Sequence, residues 1–218
     1  MLKIGISCRI TEALSYNELR NSLAVDWITY FNKLELFPVL IPHGISDIGR
    51  YMNGLKLDGV ILSGGNNVNP KLYASDEELS SVYDMRDLNE YKIIKYCINK
   101  SIPLIGICRG MLLINVFFNG KITHNINNHV NVEHNILINR FNDYLGDKKV
   151  VNSFHKHAIK IDDLSSNMNC FAISEDGCVE GIYDNEQSIF GIQWHPERNP
   201  FDFALSSFIS DIFNKKIN

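Results

Sequence analysis

No apolar run in this sequence is long enough to read as a membrane-spanning segment. Its first eight residues, Met1-Leu2-Lys3-Ile4-Gly5-Ile6-Ser7-Cys8, form a strand pattern too polar for a signal peptide. Neither an exported protein nor a membrane partner is expected. Charge of one sign is also missing. Lys and Arg total 21 against 25 Asp and Glu, a formal net charge of −4, which argues against general nucleic-acid binding. The five cysteines (Cys8, Cys97, Cys108, Cys170, Cys178) are odd in number and lack zinc-knuckle spacing. Reduced thiols in a cytoplasmic setting are therefore expected, four of them acting as small hydrophobes. There is no linker, internal repeat or long low-complexity tract, so residues 1–218 are expected to form a single domain. Abundant Asn, Ile and Lys are read as genomic base composition.

The chain is 45% hydrophobic, enough to build a full core. Strand-like runs are expected at residues 3–8, 38–41, 59–62 and 103–107, with helical patterns between them at 21–34, 45–52 and 87–99. Strand alternating with helix predicts an α/β fold: a mostly parallel central sheet with helices on both faces. Ligands in such sheets bind beyond the C-terminal ends of the strands. After Gly120 the pattern becomes β-rich, with short strands expected at 131–138, 149–151, 169–174, 178–183 and 188–193 and a last helix at 201–214.

The most informative residue is Cys108. In Pro103-Leu104-Ile105-Gly106-Ile107-Cys108-Arg109-Gly110 an apolar strand ends at a glycine-flanked cysteine, and Met111 to Phe118 then reads as a helix. A helix N-terminus favours thiolate, and a thiolate there is a candidate nucleophile. Far downstream, Phe190-Gly191-Ile192-Gln193-Trp194-His195-Pro196-Glu197 places an imidazole and a carboxylate two residues apart after another apolar run. Cys108, His195 and Glu197 together suggest a catalytic triad.

These motifs resemble those of class I glutamine amidotransferases, and more closely the γ-glutamyl hydrolase branch known as peptidase C26. The resemblance also covers Ser63-Gly64-Gly65-Asn66-Asn67-Val68-Asn69-Pro70, Arg86-Asp87 and Val151-Asn152-Ser153-Phe154-His155, and so runs nearly end to end. It implies a three-layer, flavodoxin-like fold and hydrolysis of a γ-glutamyl amide through a thioester on Cys108. His195 would act as base and acid, and Glu197 would orient it. The backbone N–H groups of Gly65 and Arg109 would form the oxyanion hole. Gly64, Asn66, Ser153, Phe154 and His155 would line the substrate site. No cofactor is implied. His43, His124, His129, His134 and His157 show no metal-ligand spacing supported by carboxylates, and no metal is expected. Oligomeric state is not legible.

Several positions depart from the family pattern. Leu112 stands where relatives carry a Gln that helps hold glutamine. Asn67 and Asn69 stand where relatives tend to have Asp, and Lys156 follows the pocket histidine. With Arg9 and Arg109 they point to an anionic leaving group, with phosphate the natural candidate. The sharpest expectation is a small nucleotide-linked substrate, γ-glutamyl-CDP-amidate, whose hydrolysis would serve capsular polysaccharide modification. Tyr16 and Arg20 are candidates for its distal part. Alternatives are a γ-glutamyl-γ-aminobutyrate or γ-glutamyl-polyamine hydrolase, a glutaminase subunit feeding ammonia to a synthetase, and a non-catalytic binding protein. Residues 73–86 are expected to form a loop near the site.

Overall fold

A computed structural model describes residues 1–186, 188–199 and 202–217. Its first half contains β1 (Lys3–Ser7), β2 (Arg9–Glu12), β3 (Leu19–Ser22), α1 (Asp26–Lys33), β4 (Phe37–Ile41), α2 (Ile48–Leu55), β5 (Gly59–Leu62), α3 (Asp84–Lys100), β6 (Leu104–Ile107) and α4 (Arg109–Phe117). The second half adds β7 (Val130–Ile138), α5 (Asn142–Leu145), β8 (Lys148–Phe154), β9 (Ile159–Lys160), β10 (Met168–Ser174), β11 (Cys178–Asp184), β12 (Ile189–Ile192) and α6 (Phe203–Phe213).

The main sheet runs β4-β1-β5-β6-β12-β11-β10-β7-β8, with β9 beside β11. From β4 to β12 every pairing is parallel; from β12 to β8 every pairing is antiparallel. The strands β5, β6 and β12 are buried at every position. That follows from their near-continuous Val, Ile and Leu, because a parallel strand is covered on both faces. One core packs α1 and α6 on the sheet through Trp27, Phe31, Phe208 and Ile212. The other packs α2, α3 and α4 through Met52, Ile93, Ile94, Leu113 and Ile114. The α/β fold with helices on both faces, expected from sequence, is borne out.

Three boundaries differ from expectation. The helix expected from residue 21 begins at Asp26, and Leu19–Ser22 instead pairs with Arg9–Glu12 as a separate antiparallel hairpin. Leu19, Arg20 and Asn21 are exposed and satisfy their backbone groups by pairing with Glu12, Thr11 and Ile10, which holds this stretch extended ahead of the helix. The helix expected from residue 87 begins at Asp84, which places Arg86 and Asp87 inside its first turn rather than ahead of it. The last helix starts at Phe203, where Asp202 accepts a capping bond from the Leu205 amide at 3.1 Å; residue 201 lies outside the described residues.

Candidate active site

Cys108 sits at the turn from β6 into α4 with φ 52° and ψ −107°, a strained conformation for a residue with a side chain. Such geometry costs about 1–3 kcal/mol and needs its surroundings to hold it. Gly110 supplies part of that hold. A Cβ there would lie 2.3 Å from the Leu62 carbonyl oxygen, so only glycine lets α4 approach β5 this closely. The Cys108 side chain is buried at the wall of a crevice of about 380 Å³. The Arg109 amide begins α4 directly beyond it.

His195 follows β12, the parallel neighbour of β6, and so reaches the same end of the sheet. Its Nδ1 is 2.6 Å from Glu197 Oε1. Both side chains are buried, and Glu197 lies in the short 3-10 turn Pro196–Arg198. Burial by itself would lower the imidazole's pKa. Its interactions with the Cys108 sulfur and then with Glu197 outweigh burial and hold it up to about 9. Gly64 shows how closely the parts converge. A Cβ at that position would lie 2.9 Å from His195 Cε1 and 3.5 Å from Cys108 Cβ. The expected trio of residues 108, 195 and 197 therefore faces one crevice.

The Ser63-Gly64-Gly65 loop is fixed from behind by Arg86, which is fully buried. Its guanidinium donates to the carbonyls of Ser63 (2.7 Å), Gly64 (3.2 Å) and Gly65 (2.5 Å). A peptide's N–H points opposite to its C=O, so holding the Gly64 carbonyl turns the Gly65 N–H away from Arg86. Gly65 itself has φ +79°. Burial and neighbouring Arg109 push Arg86 down to about 10, and it stays cationic. Glu90 accepts from Arg86 Nε at 3.1 Å and from Arg109, while Arg109 also donates to Asp87. Burial would raise Glu90, but the two arginines hold it well below the usual carboxylate range.

This network corrects several expectations. The Arg109 side chain is buried against Asp87 and Glu90, so it adds no free positive charge to the crevice. Asn66 lines the crevice as expected, and its side-chain amide also braces the loop through Ile10, Arg86 and Ser81. Asn69 caps the short 3-10 turn Pro70–Tyr73 and donates to Asp84; it is not among the lining residues. Asn67 does line the crevice. Ser153 is fully buried, donates to the His129 carbonyl at 2.7 Å and does not reach the crevice. Tyr16 and Arg20 pair with each other at 2.6 Å outside it.

Phe154, His155, Arg9 and Lys156 line the crevice as expected, and so does Leu112. Phe154 meets the His195 ring edge-on with centroids 5.9 Å apart. Sequence reasoning missed two residues. Asn152 clamps the His195 backbone at both ends, accepting from its N–H and donating to its C=O, each at 2.9 Å. Arg198 lines the crevice with its guanidinium 4.0 Å from the Phe154 ring centroid. Its place beside Glu197 was the available signal. His43, His124, His129 and His157 are hydrogen-bonded, but the expectation that no carboxylate supports the histidines fails: His129, His134 and His155 all face buried Glu180.

Fold and crevice together define a class I glutamine amidotransferase-like protein. A solved structure of a glutamine amidotransferase from Thermotoga maritima superposes with a TM-score of 0.61 at 16% identity, covering 100% of this chain and 86% of that one. The peptidase C26 profile matches residues 3–197, and the chain belongs to that family. It is 36% identical to γ-glutamyl-CDP-amidate hydrolase of Campylobacter jejuni over 198 residues, 89% of this chain and 90% of the relative. It is 28% identical to γ-glutamyl-γ-aminobutyrate hydrolase of Escherichia coli over 202 residues, 81% of this chain and 78% of the relative.

Proposed function

We propose that this protein is a cysteine hydrolase that removes glutamate from a γ-glutamyl amide bearing a phosphate-rich leaving group, with γ-glutamyl-CDP-amidate as substrate. Cys108 Sγ attacks the γ-carbonyl carbon. The oxyanion that forms is stabilised by the backbone N–H groups of Gly65 and Arg109, each worth about 3–4 kcal/mol of barrier. His195 protonates the departing nitrogen as the C–N bond breaks, releasing cytidine diphosphoramidate and leaving a glutamyl thioester. His195, now neutral, takes a proton from water. The hydroxide adds to the thioester, glutamate leaves, and the thiol is restored. Glu197 fixes the imidazole with Nδ1–H outward, and Asn152 and Phe154 fix its place. The setting proposed is cytoplasmic, where five unpaired thiols persist.

One observation carries the choice of leaving group. The crevice is lined by Arg9, Lys156 and Arg198, and among the described residues its only lining carboxylate, Glu197, is already bound to His195. A polyamine would meet three like charges there; a diphosphate would meet three partners. Leu112 in the crevice wall replaces the amide that would hold free glutamine, which disfavours the glutaminase reading. The same cations would accept the single carboxylate of γ-aminobutyrate, so that substrate is the second reading. The deciding experiment compares kcat/KM for γ-glutamyl-CDP-amidate, γ-glutamyl-γ-aminobutyrate, a γ-glutamyl-polyamine and glutamine. The nucleotide-linked amide is expected to lead by at least about tenfold per lost charge contact. A higher value for γ-aminobutyrate or glutamine would overturn the assignment.

A further inference from the structure

Glu180 on β11 is fully buried, and neither of its carboxylate oxygens has a hydrogen-bond partner among the described residues. Three imidazoles surround it. Oε1 is 3.4 Å from His134 Nε2, 3.6 Å from His155 Nε2 and 3.9 Å from His129 Nδ1. The His129 and His155 side chains are almost wholly buried, and His134 is 17% exposed.

The outward nitrogens of two rings fix where their protons sit. His129 Nε2 is 3.1 Å from Asp176 Oδ2, and His155 Nδ1 is 3.0 Å from the His157 carbonyl oxygen. Both partners only accept, so each ring donates outward. The lone pairs of His129 Nδ1 and His155 Nε2 then face the carboxylate. Ser153 Oγ is 3.4 Å from His129 Nδ1, but its one proton goes to the His129 carbonyl at 2.7 Å. Two imidazole lone pairs thus converge on the carboxylate in a buried space, an arrangement that is costly unless a proton or a metal cation closes it.

We propose that His129, His134, His155 and Glu180 form a binding site for one divalent transition-metal ion of the zinc class. Four ligands about 2.0–2.2 Å from such an ion stand about 3.3–3.5 Å apart. The ligand atoms of His129, His155 and Glu180 already lie within 4.8 Å of one another, and His134 Nε2 is 3.4 Å from Glu180 but farther from the other two rings, so His134 must swing in by more than about an ångström to complete the shell. The outward bonds to Asp176 and the His157 carbonyl are of the kind that orient metal-bound imidazoles and fix their tautomer. Three imidazoles and one carboxylate suit zinc over magnesium or calcium.

A neighbouring group, His129 with Asp176 and Cys178, is filled by Lys160. The Lys160 ammonium donates to the Cys178 sulfur at 3.1 Å and repels a second cation. The site also has a consequence for the crevice. His155 belongs to both, so the ion would pin the wall formed by Phe154, His155 and Lys156. This inference does not depend on which γ-glutamyl amide is hydrolysed, or on hydrolysis at all.

The test uses the full, untagged chain, stripped with a strong chelator and titrated with Zn²⁺ and separately with Co²⁺. Binding of one equivalent is expected, with a rise in Tm and the visible d–d absorption of tetrahedral Co²⁺ without sulfur charge transfer. Glu180→Gln and His134→Ala should each weaken binding by at least about 100-fold, while Cys108→Ala keeps the full equivalent. Absence of saturable binding by wild-type protein, a thiolate–cobalt band, or unchanged affinity in both Glu180→Gln and His134→Ala would overturn the proposal.

Discussion

At the residue scale, the proposed chemistry depends on His195 keeping its proton when Cys108 is ready to attack. The imidazole is held up to about 9 against burial by Cys108 and Glu197. A raised pKa stabilises the folded state fully below the unfolded value of 6.5, and that contribution fades as pH rises through about 9. The alkaline limb of kcat/KM is accordingly expected near pH 9. Titration of His195 by NMR in Cys108→Ala should shift to lower pH; an unchanged titration would show that the sulfur does not support the imidazole. The residues with sharp local signatures were legible in the sequence. Cys108 lies at a glycine-flanked strand end, and His195 and Glu197 share one short motif. Asn152 was harder to find, because its importance comes from which strand ends meet, whereas Arg198 had a local signal in its place beside Glu197.

At the element scale, the Ser63-Gly64-Gly65 turn after β5 presents its carbonyls to one side chain from α3, while Asn66 braces the segment that follows. Arg86 satisfies three successive carbonyls and Glu90 at once. Arg86→Met should lower the unfolding free energy by about 3–5 kcal/mol in urea titrations, because buried acceptors lose their donor. Arg86→Lys keeps the charge but cannot fork across the loop, so it should retain more stability and still lose kcat. Wild-type kcat in Arg86→Lys would mean that the loop holds its shape unaided. Sequence reading placed Arg86 ahead of its helix because apolar periodicity marks only the side of α3 that packs on the core. Its first turn is buried by ion pairs and carries no such pattern. The β2–β3 hairpin was missed for a related reason: Leu19, Arg20 and Asn21 are exposed, and their pairing is backbone-driven.

At the scale of the whole molecule, strand order does what sequence proximity cannot. Strand β12, from near the end of the chain, lies between β6 and β11, so it joins the parallel and antiparallel halves and carries His195 to Cys108. We propose that residues 1–218 fold as one unit for this reason. Trp27 and Trp194 come from opposite halves and are buried in the same core. Their fluorescence and the far-UV circular dichroism should report one coincident urea transition; separate midpoints would indicate two units. The parallel half was legible because burial on both faces writes itself as uninterrupted Val, Ile and Leu. The convergence of His129, His134 and His155 on Glu180 was not, because those residues come from three separate segments. The central claim is that Cys108 carries the glutamyl group in a thioester. Rapid acid quench of turnover, followed by peptide mass spectrometry, measures this directly. The expected result is one glutamyl adduct on the Cys108 peptide, absent in Cys108→Ala together with all glutamate release. Steady glutamate release by Cys108→Ala would contradict it.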